Sequence, residues 1–576
     1  MKPRIALVGA MAVGMAVIAA GCGSNSSNQG SGTGSATPQS GGTIVYALPP
    51  QTNLNWYMPL VDGQYDSLYN FQLIYSLYKP LIWINNKYQI DWSSSIADKI
   101  TYNSSGTVYH VFLNPKWHWS NGQPVTSQDV LFTWNVIKAA SAPNAPSPWP
   151  YVAAGTGDIP NGVQSIVANS AHELTVTLTQ PANQQWFEYN GLAQLTPMPA
   201  VWNKYPTNMT QELKYLGANG TNPNFDTVVD GPFKLQSATA NQNWVMVPNK
   251  AYSGHKAYAS RFIFTYEGSN SAEFAALKTN TVQVGYLDLA EYGAKAELTN
   301  DVVRPGYPFD YQDVELNLSK NAPNGLGQAF SQLYVRQALE MGIDQNATDT
   351  AIYHGFAAPQ YGPIPVQPKT QFLDPRLTKP LYPYNPAQGK KLLEQNGWHE
   401  VNGVMTKNGV KLQFTLMYAS GSASTDSQMA LLQQDWAKEG VKVTLKPIPF
   451  ASLIGIIDTP SDANQWAAAG GQGIIYGGSY PTGGQLFGAT GGLNNFGYND
   501  ATENSLIAAT HKPAASTAQS LKTFDQYEYY TAHNLPVLWV NNVATLGVNA
   551  KTVHNSYKYG NPLTGYPQFQ YFWISQ

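Results

Sequence analysis

The chain has a single cysteine, Cys22, in 576 residues. An intrachain disulfide is excluded, and the long body after Cys22 has no cysteine nucleophile or cysteine-based metal site. Charge is scarce as well. Lys, Arg, Asp and Glu make up 12% of the residues, about half the usual share. The net charge is -3 with no basic stripe, which argues against a nucleic-acid partner. The nine histidines are never i, i+4 apart. No HExxH is present, since His399-Glu400 continues as Val-Asn-Gly, and no Gly-rich loop ends in Lys-Ser/Thr. Gly477-Gly-Ser-Tyr-Pro481 lacks the last glycine of a nucleophile elbow. No internal repeat is found. Zinc, phosphate-loop and serine chemistry are thus disfavoured, and no catalytic residue, cofactor or metal is expected. A secreted hydrolase using paired carboxylates stays open as an alternative.

What is abundant is aromatic and uncharged. Hydrophobic residues reach 43%, enough for a globular body, and there are 36 Tyr, 15 Trp and 20 Phe. Tyr and Trp combine an apolar ring with one hydrogen-bonding atom, which suits binding surfaces as well as a large core.

The first residues read as an export signal. Lys2 and Arg4 precede an uncharged, mainly apolar run from Ile5 to Ala20, shorter than the roughly 20 apolar residues of a spanning helix. Ile18-Ala19-Ala20-Gly21-Cys22 resembles a bacterial lipobox, with Ala19 where Leu is usual. An ordinary signal peptide with a chance Cys is the alternative. The resemblance implies a signal peptide over 1–21 and a lipid on Cys22, which places the chain outside the cytoplasm and anchored to the cell membrane. Residues 23–42 are nearly all Gly, Ser, Asn, Thr and Gln. Such a segment is a flexible tether with a root-mean-square span of about 25 Å.

Helix and strand signals alternate through the body. Thr43–Leu48, Thr107–Leu113, His172–Leu178 and Val441–Ile448 read as strands. Val125–Ala140 reads as a helix with a capping-box-like start at Thr126 and Asp129. Val335, Ala338, Leu339 and Gly342 mark one face of another helix. Asn385-Pro386 opens a third, which Gly397 ends, and a fourth spans Ser424–Glu439 before Gly440. The fold class is α/β. Residues 466–495, dense in Gly, Tyr, Thr and Asn, read as a long functional loop.

Several of these segments carry a family resemblance, in order along nearly the whole chain. Tyr109 to Trp134, YHVFLNPKWHWSNGQPVTSQDVLFTW, matches a strand–turn–helix pattern at Trp117, Ser120, Gly122, Pro124, Val125, Thr126, Asp129 and Val130. Tyr334 to Asp344 (YVRQALEMGID), then Gly355 and Tyr361-Gly-Pro-Ile-Pro365, form a second match. Tyr384 to Trp398 (YNPAQGKKLLEQNGW) and Val229-Asp-Gly-Pro-Phe233 add two more. The chain resembles the dipeptide- and oligopeptide-type solute-binding proteins of ABC importers, extracellular family 5. These motifs are mainly structural, and Trp117 and Arg336 are read as fold residues.

The resemblance implies a two-lobed, periplasmic-binding-protein-like clamp (type II, cluster C) with an extra domain inserted in the first lobe. By analogy, lobe I comprises 43–79, 184–288 and 522–576, the inserted domain 80–183, and lobe II 289–521. It implies a monomer that takes a small solute, a peptide or peptide-like molecule, and hands it to a membrane permease with its ATPase.

The family's peptide binders carry an Asp in a "W..DYpDP" loop that pairs with the peptide's α-amino group. The matching stretch here is Gly470 to Phe487, with Tyr480-Pro481 in place of Asp-Pro. No Asp or Glu occurs between Asp462 and Asp500. A buried ammonium needs an opposite charge, so the carboxylate comes from elsewhere, with Asp62 and Asp66 as candidates, or the solute is an oligosaccharide or other non-peptide. The expected cleft contacts are Tyr65, Asp66, Tyr69, Tyr361, Tyr418, Trp466, Gln472, Tyr476, Ser479, Tyr480 and Thr482, with Asn494 and Asn495 behind them.

Overall fold

Two mixed β-sheets carry the fold of this computed structural model, which describes residues 37–225 and 228–575. The expected leader, Cys22 and most of the tether lie outside the described residues. The first sheet has seven strands in the order Asp301–Gly306, Thr545–Ala550, Val284–Leu287, Thr43–Ala47, Arg261–Thr265, Asn243–Pro248 and Phe233–Thr239. The second has five: Lys442–Ile448, Gln413–Ala419, Ala468–Ile475, Asp310–Leu316 and Leu538–Trp539. A four-stranded antiparallel sheet built from Ala97–Tyr102, Val108–Leu113, Glu173–Leu178 and Val163–Ser170 sits between the first and second strands of the chain's path through the first sheet. This is a two-lobed α/β clamp with an inserted domain.

The chain crosses between the two sheets twice. It leaves the first at Gly306 and enters the second at Asp310, then leaves the second at Trp539 and re-enters the first at Thr545. The strands flanking these crossings pair with each other in both sheets, so the two connections run side by side. Two short, antiparallel connections side by side are an arrangement that suits a hinge. The crossings also shift the partition expected above. Asp301–Gly306 pairs into the first sheet although it follows residue 289, and Leu538–Trp539 pairs into the second although it follows 522.

Local sequence explains the elements around this frame. Asn121-Gly122 turns the chain, with Gly122 at φ 87°. The next helix, Ser127–Ala140, opens on a capping box in which Thr126 N–H donates to Asp129 Oδ2 at 2.8 Å. Trp117 is fully buried and donates from Nε1 to the Ser95 carbonyl at 2.8 Å. In helix Leu333–Met341, Val335, Ala338 and Leu339 are all fully buried. Arg336 is buried too and donates to the carbonyls of Phe330 and Asn534.

The Gly-rich segment is where pattern reading and structure part. Ala468–Ile475 is an interior strand of the second sheet, and irregular chain begins only at Tyr476. Its glycines hide the apolar alternation that marks a strand, yet the packing requires them. A Cβ on Gly473 would stand 2.7 Å from the Tyr311 carbonyl oxygen, and one on Gly470 3.2 Å from both Met429 and Val314.

Candidate functional site

A cavity of about 640 Å³ lies between the two sheets, with walls from both. That volume falls in the range of small-molecule sites. The first-sheet side contributes Asp66, Tyr69 and Tyr75 from the turn and helix after Thr43–Ala47, together with Tyr286 and Tyr566. Ser67 caps that helix, Leu68–Leu77, by accepting from the Tyr69 and Asn70 amides, which fixes where Asp66 and Tyr69 enter the cavity. The rings of Tyr75 and Tyr566 meet edge to face at 4.9 Å. The second-sheet side contributes Asp310, Gln312 and Glu315 from one strand, Asp458 from the end of helix Phe450–Ile457, and the loop after Ile475.

That loop closes the cavity against the other side. Tyr480 N–H donates to Asn190 Oδ1 at 2.7 Å, and Asn190 Nδ2 donates back to the Tyr480 carbonyl at 3.0 Å. The Tyr88 hydroxyl donates to the Ser479 carbonyl at 2.9 Å. Gln485 and Gly492 donate to the carbonyls of Val152 and Ala154 at 3.1 and 3.0 Å. A second contact lies near Asp458, where a Cβ on Gly63 would be 3.2 Å from the Asp458 carbonyl oxygen.

Of the residues singled out from sequence, Asp66, Tyr69, Tyr476, Ser479, Tyr480 and Thr482 line this cavity. Several of them are also occupied by the protein itself. Tyr476 donates its hydroxyl to the Pro363 carbonyl at 2.6 Å. Tyr480 packs its ring edge-on against Phe372 and Phe524. Thr482 pairs with Thr510 at 2.8 Å. Tyr65 stacks on Trp56 at 5.1 Å instead of facing the cavity. Trp466 and Tyr418 are core residues, 1% and 3% exposed, and are absent from the cavity wall, as is Tyr361. The Gln472 backbone pairs with Asp313; its side chain lies outside what the structure describes. Asn494 donates to the Gly488 and Tyr498 carbonyls, and Asn495 pairs with the Asp458 carboxylate.

The main surprise is acidic. Asp66, Asp310, Glu315 and Asp458 line the cavity, against one arginine, Arg304, whose guanidinium lies 4.2 Å over the Tyr557 ring. Burial raises Asp66 to about 7. Burial, then repulsion from Glu315 and Asp66, holds Asp458 well above the carboxylate range. Burial, then Asp313, does the same to Glu315, and burial alone raises Asp310 against a bond from Gln312. Asp62, the other carboxylate considered from sequence, is fully buried away from the cavity and accepts from the Gln64 amide. The signal for Asp310 and Glu315 was present: DYQDVEL puts three acids in a seven-residue strand. Asp458 gave none. Among the described residues no group of three or more His, Cys, Asp and Glu could hold a metal ion.

Residues 92–497 match the model of the bacterial extracellular solute-binding proteins, family 5 middle region. The chain belongs to this family. Among family 5 relatives, the oligopeptide-binding protein AppA of Bacillus subtilis is 21% identical over 451 residues, covering 78% of this chain and 77% of AppA. A dipeptide-binding protein of Lactococcus lactis is 28% identical over 380 residues, 62% of this chain and 64% of that protein. The structure of B. subtilis AppA in complex with a nonapeptide superposes with a TM-score of 0.80 at 18% identity, over 94% of this chain and 100% of AppA. At that identity the superposition shows the fold alone. Family 5 membership makes the protein an extracytoplasmic solute-binding protein. Among the described residues, no helix is long and apolar enough to cross a membrane.

Proposed function

We propose that the protein captures a peptide or peptide-like solute between its lobes and delivers it to the permease and ATPase of an ABC importer. The observation that carries this reading is the cavity of about 640 Å³ walled from both sheets and closed by the Asn190–Tyr480 contact. A solute touching both walls stabilises the closed arrangement over the open one, and the closed form is what a permease would distinguish. The peptide-binding names of the relatives support the choice of solute, and the cavity carboxylates offer the charge that the loop around Tyr480 lacks. In this reading the lobes divide as expected from sequence, with the two crossing strands exchanged at the hinge. The lipid on Cys22 moors the clamp near its permease as a monomer and has no part in binding. Cys22→Ala should release the protein into the medium with solute affinity unchanged, measured by fractionation and calorimetry. Mass spectrometry of the solute that copurifies with the protein tests the main claim. Peptides are expected, and an oligosaccharide without peptide would overturn the reading.

A further inference from the structure

We infer that the lobes turn on a fixed contact beside the two crossings, in which Asp288 of the first lobe holds the start of helix Ala423–Lys438 of the second. Asp288 is thereby a positioning residue for solute capture. The pivot presupposes that the lobes close over the solute, as proposed above.

The contact is built from both lobes. Asp288 follows strand Val284–Leu287 and is 7% exposed. Its Oδ1 accepts from the Ala290 amide at 2.8 Å within the first lobe. Its Oδ2 accepts from Ser422 Oγ at 2.7 Å and Ser424 Oγ at 2.9 Å in the second lobe, and from Asn270 of the first. Ser422 is the N-cap of the helix and accepts from the Thr425 amide, so the carboxylate also sits at the helix end that favours negative charge. Beside it, Ser420 Oγ donates to Gln51 Oε1 at 2.7 Å, and the Asn270 amide donates to the Gly421 carbonyl at 3.3 Å. Gly421 has φ 102°, and a Cβ there would stand 2.6 Å from Pro50 Cβ. Only glycine lets the two backbones approach this closely.

Two features make this a pivot, in contrast to the clasp at the Tyr480 loop. The first is position. Leu287 is in register with Leu546, the second residue of the strand that re-enters the first sheet. Asp288 therefore stands one strand spacing, about 5 Å, from the end of a crossing, and points near a rotation axis move little. The second is an apolar core that the lobes share. Leu287 and Leu289, on either side of Asp288, pack with Leu546 in a buried cluster that takes in Tyr353 and Ala357 from the chain between the crossings. Tyr353 also donates its hydroxyl to Gln428 Oε1 of the same helix at 2.9 Å. Parting the lobes here would expose this apolar surface to water, whereas the Asn190–Tyr480 contact parts into polar groups that water satisfies. Opening therefore occurs at the loop while the contact at Asp288 is kept. A contact present in both forms cancels from solute affinity, and what it governs is the direction of the swing.

The test is spin-label distance measurement on the full chain carrying Cys22→Ser. One label pair, Gly293→Cys with Ser427→Cys, spans the contact, and the other, Lys87→Cys with Gln371→Cys, spans the Tyr480 loop; all four positions are exposed. Without peptide the loop pair should show a broad spread of distances, which a tryptic digest of casein should shorten and narrow. The contact pair should give one narrow distance throughout. Asp288→Ala should broaden the contact pair and with it the loop pair, and Asp288→Asn, which keeps one acceptor oxygen, should restore most of the narrowness. The digest concentration that half-closes the loop pair should stay within about threefold of wild type. If Asp288→Ala does not fold, Gly421→Ala, which wedges Pro50 away, should broaden the same pairs. A contact pair that lengthens whenever the loop pair does would overturn the inference, by making this a second clasp. Unchanged widths in the folded variants, or two pairs that never move, would overturn it as well. A loop pair that is broad without peptide and ignores the digest counts against the peptide reading alone, because a narrow contact pair still reports the pivot.

Discussion

Asn190 gives the sharpest test of the clamp. Its side-chain amide copies a backbone amide, donating to the Tyr480 carbonyl and accepting from the Tyr480 N–H. Both residues are 3% exposed. Asn190→Leu keeps the volume close and leaves the Tyr480 N–H without a partner, while the Tyr480 carbonyl still accepts from the Thr482 N–H at 2.8 Å. A buried group left so costs about 1–3 kcal/mol. Because the loop can relax toward water, the lower part of the range applies, and the closed form loses about 1–2 kcal/mol. In an open form the group is hydrated, so the loss falls on closure. Affinity should drop by about 5-fold to 30-fold, and calorimetry with the copurified solute would read it. Thermal unfolding without solute should barely move, whereas the stabilisation that solute adds should shrink. An affinity within about threefold of wild type would refute the reasoning. Equal destabilisation with and without solute would also refute it, by showing that the contact persists when the cleft is open.

Three further predictions follow from other parts of the molecule. Trp117→Ala removes a fully buried indole and its bond to Ser95; denaturant unfolding should show a loss of about 3–5 kcal/mol, with solute affinity of the folded fraction unchanged. Gly342→Val should lower stability by about 1–3 kcal/mol, since a Cβ there stands 2.5 Å from Trp436 Cδ1, and a denaturant titration would read the shift. The pH dependence follows from Asp66, raised from the ordinary 3.8 to about 7 by burial and faced by Asp62, Tyr75, Tyr151, Tyr566 and Asp458. The folded state holds this proton more tightly than the unfolded one, so stability without solute should fall as pH rises from about 4 to 7. A bound cation favours the ionised carboxylate, so affinity for a cationic peptide should rise by about tenfold per unit over the upper part of that window and level off above it. Calorimetry at several pH values, with proton release checked in two buffers, would show this, and a flat profile would contradict it.

Much of the frame was legible because the forces that set it are local. Thr126, Asp129, Asn121 and Gly122 specify a turn and a helix start within ten residues, and the structure forms both there. Asn385-Pro386 and Gly397 likewise bound the helix Pro386–Gln395. Ala468–Ile475 was not legible as a strand, because its glycines answer to neighbours on other elements and local alternation is lost. The site was legible in part for the same reason. Tyr476, Ser479, Tyr480 and Thr482 could be reached through the loop pattern, and with Asp66 and Tyr69 they line the cavity. Trp466, Tyr418 and Tyr361 look identical to binding aromatics in sequence, and only packing sends them elsewhere.

By itself the sequence determined the class of fold, the absence of cysteine chemistry in the body, the order of the matched motifs and the loss of the loop acid at Tyr480. Periodicity, caps and turns act between near neighbours, so one dimension suffices for them. The tertiary structure alone decided which carboxylates line the cavity. Asp66, the strand that carries Asp310 and Glu315, and Asp458 lie far apart along the chain and line one cavity because two sheets joined by two short crossings fold their faces together. Burial then raises the pKa of all four, and repulsion from Glu315 and Asp66 adds to it at Asp458.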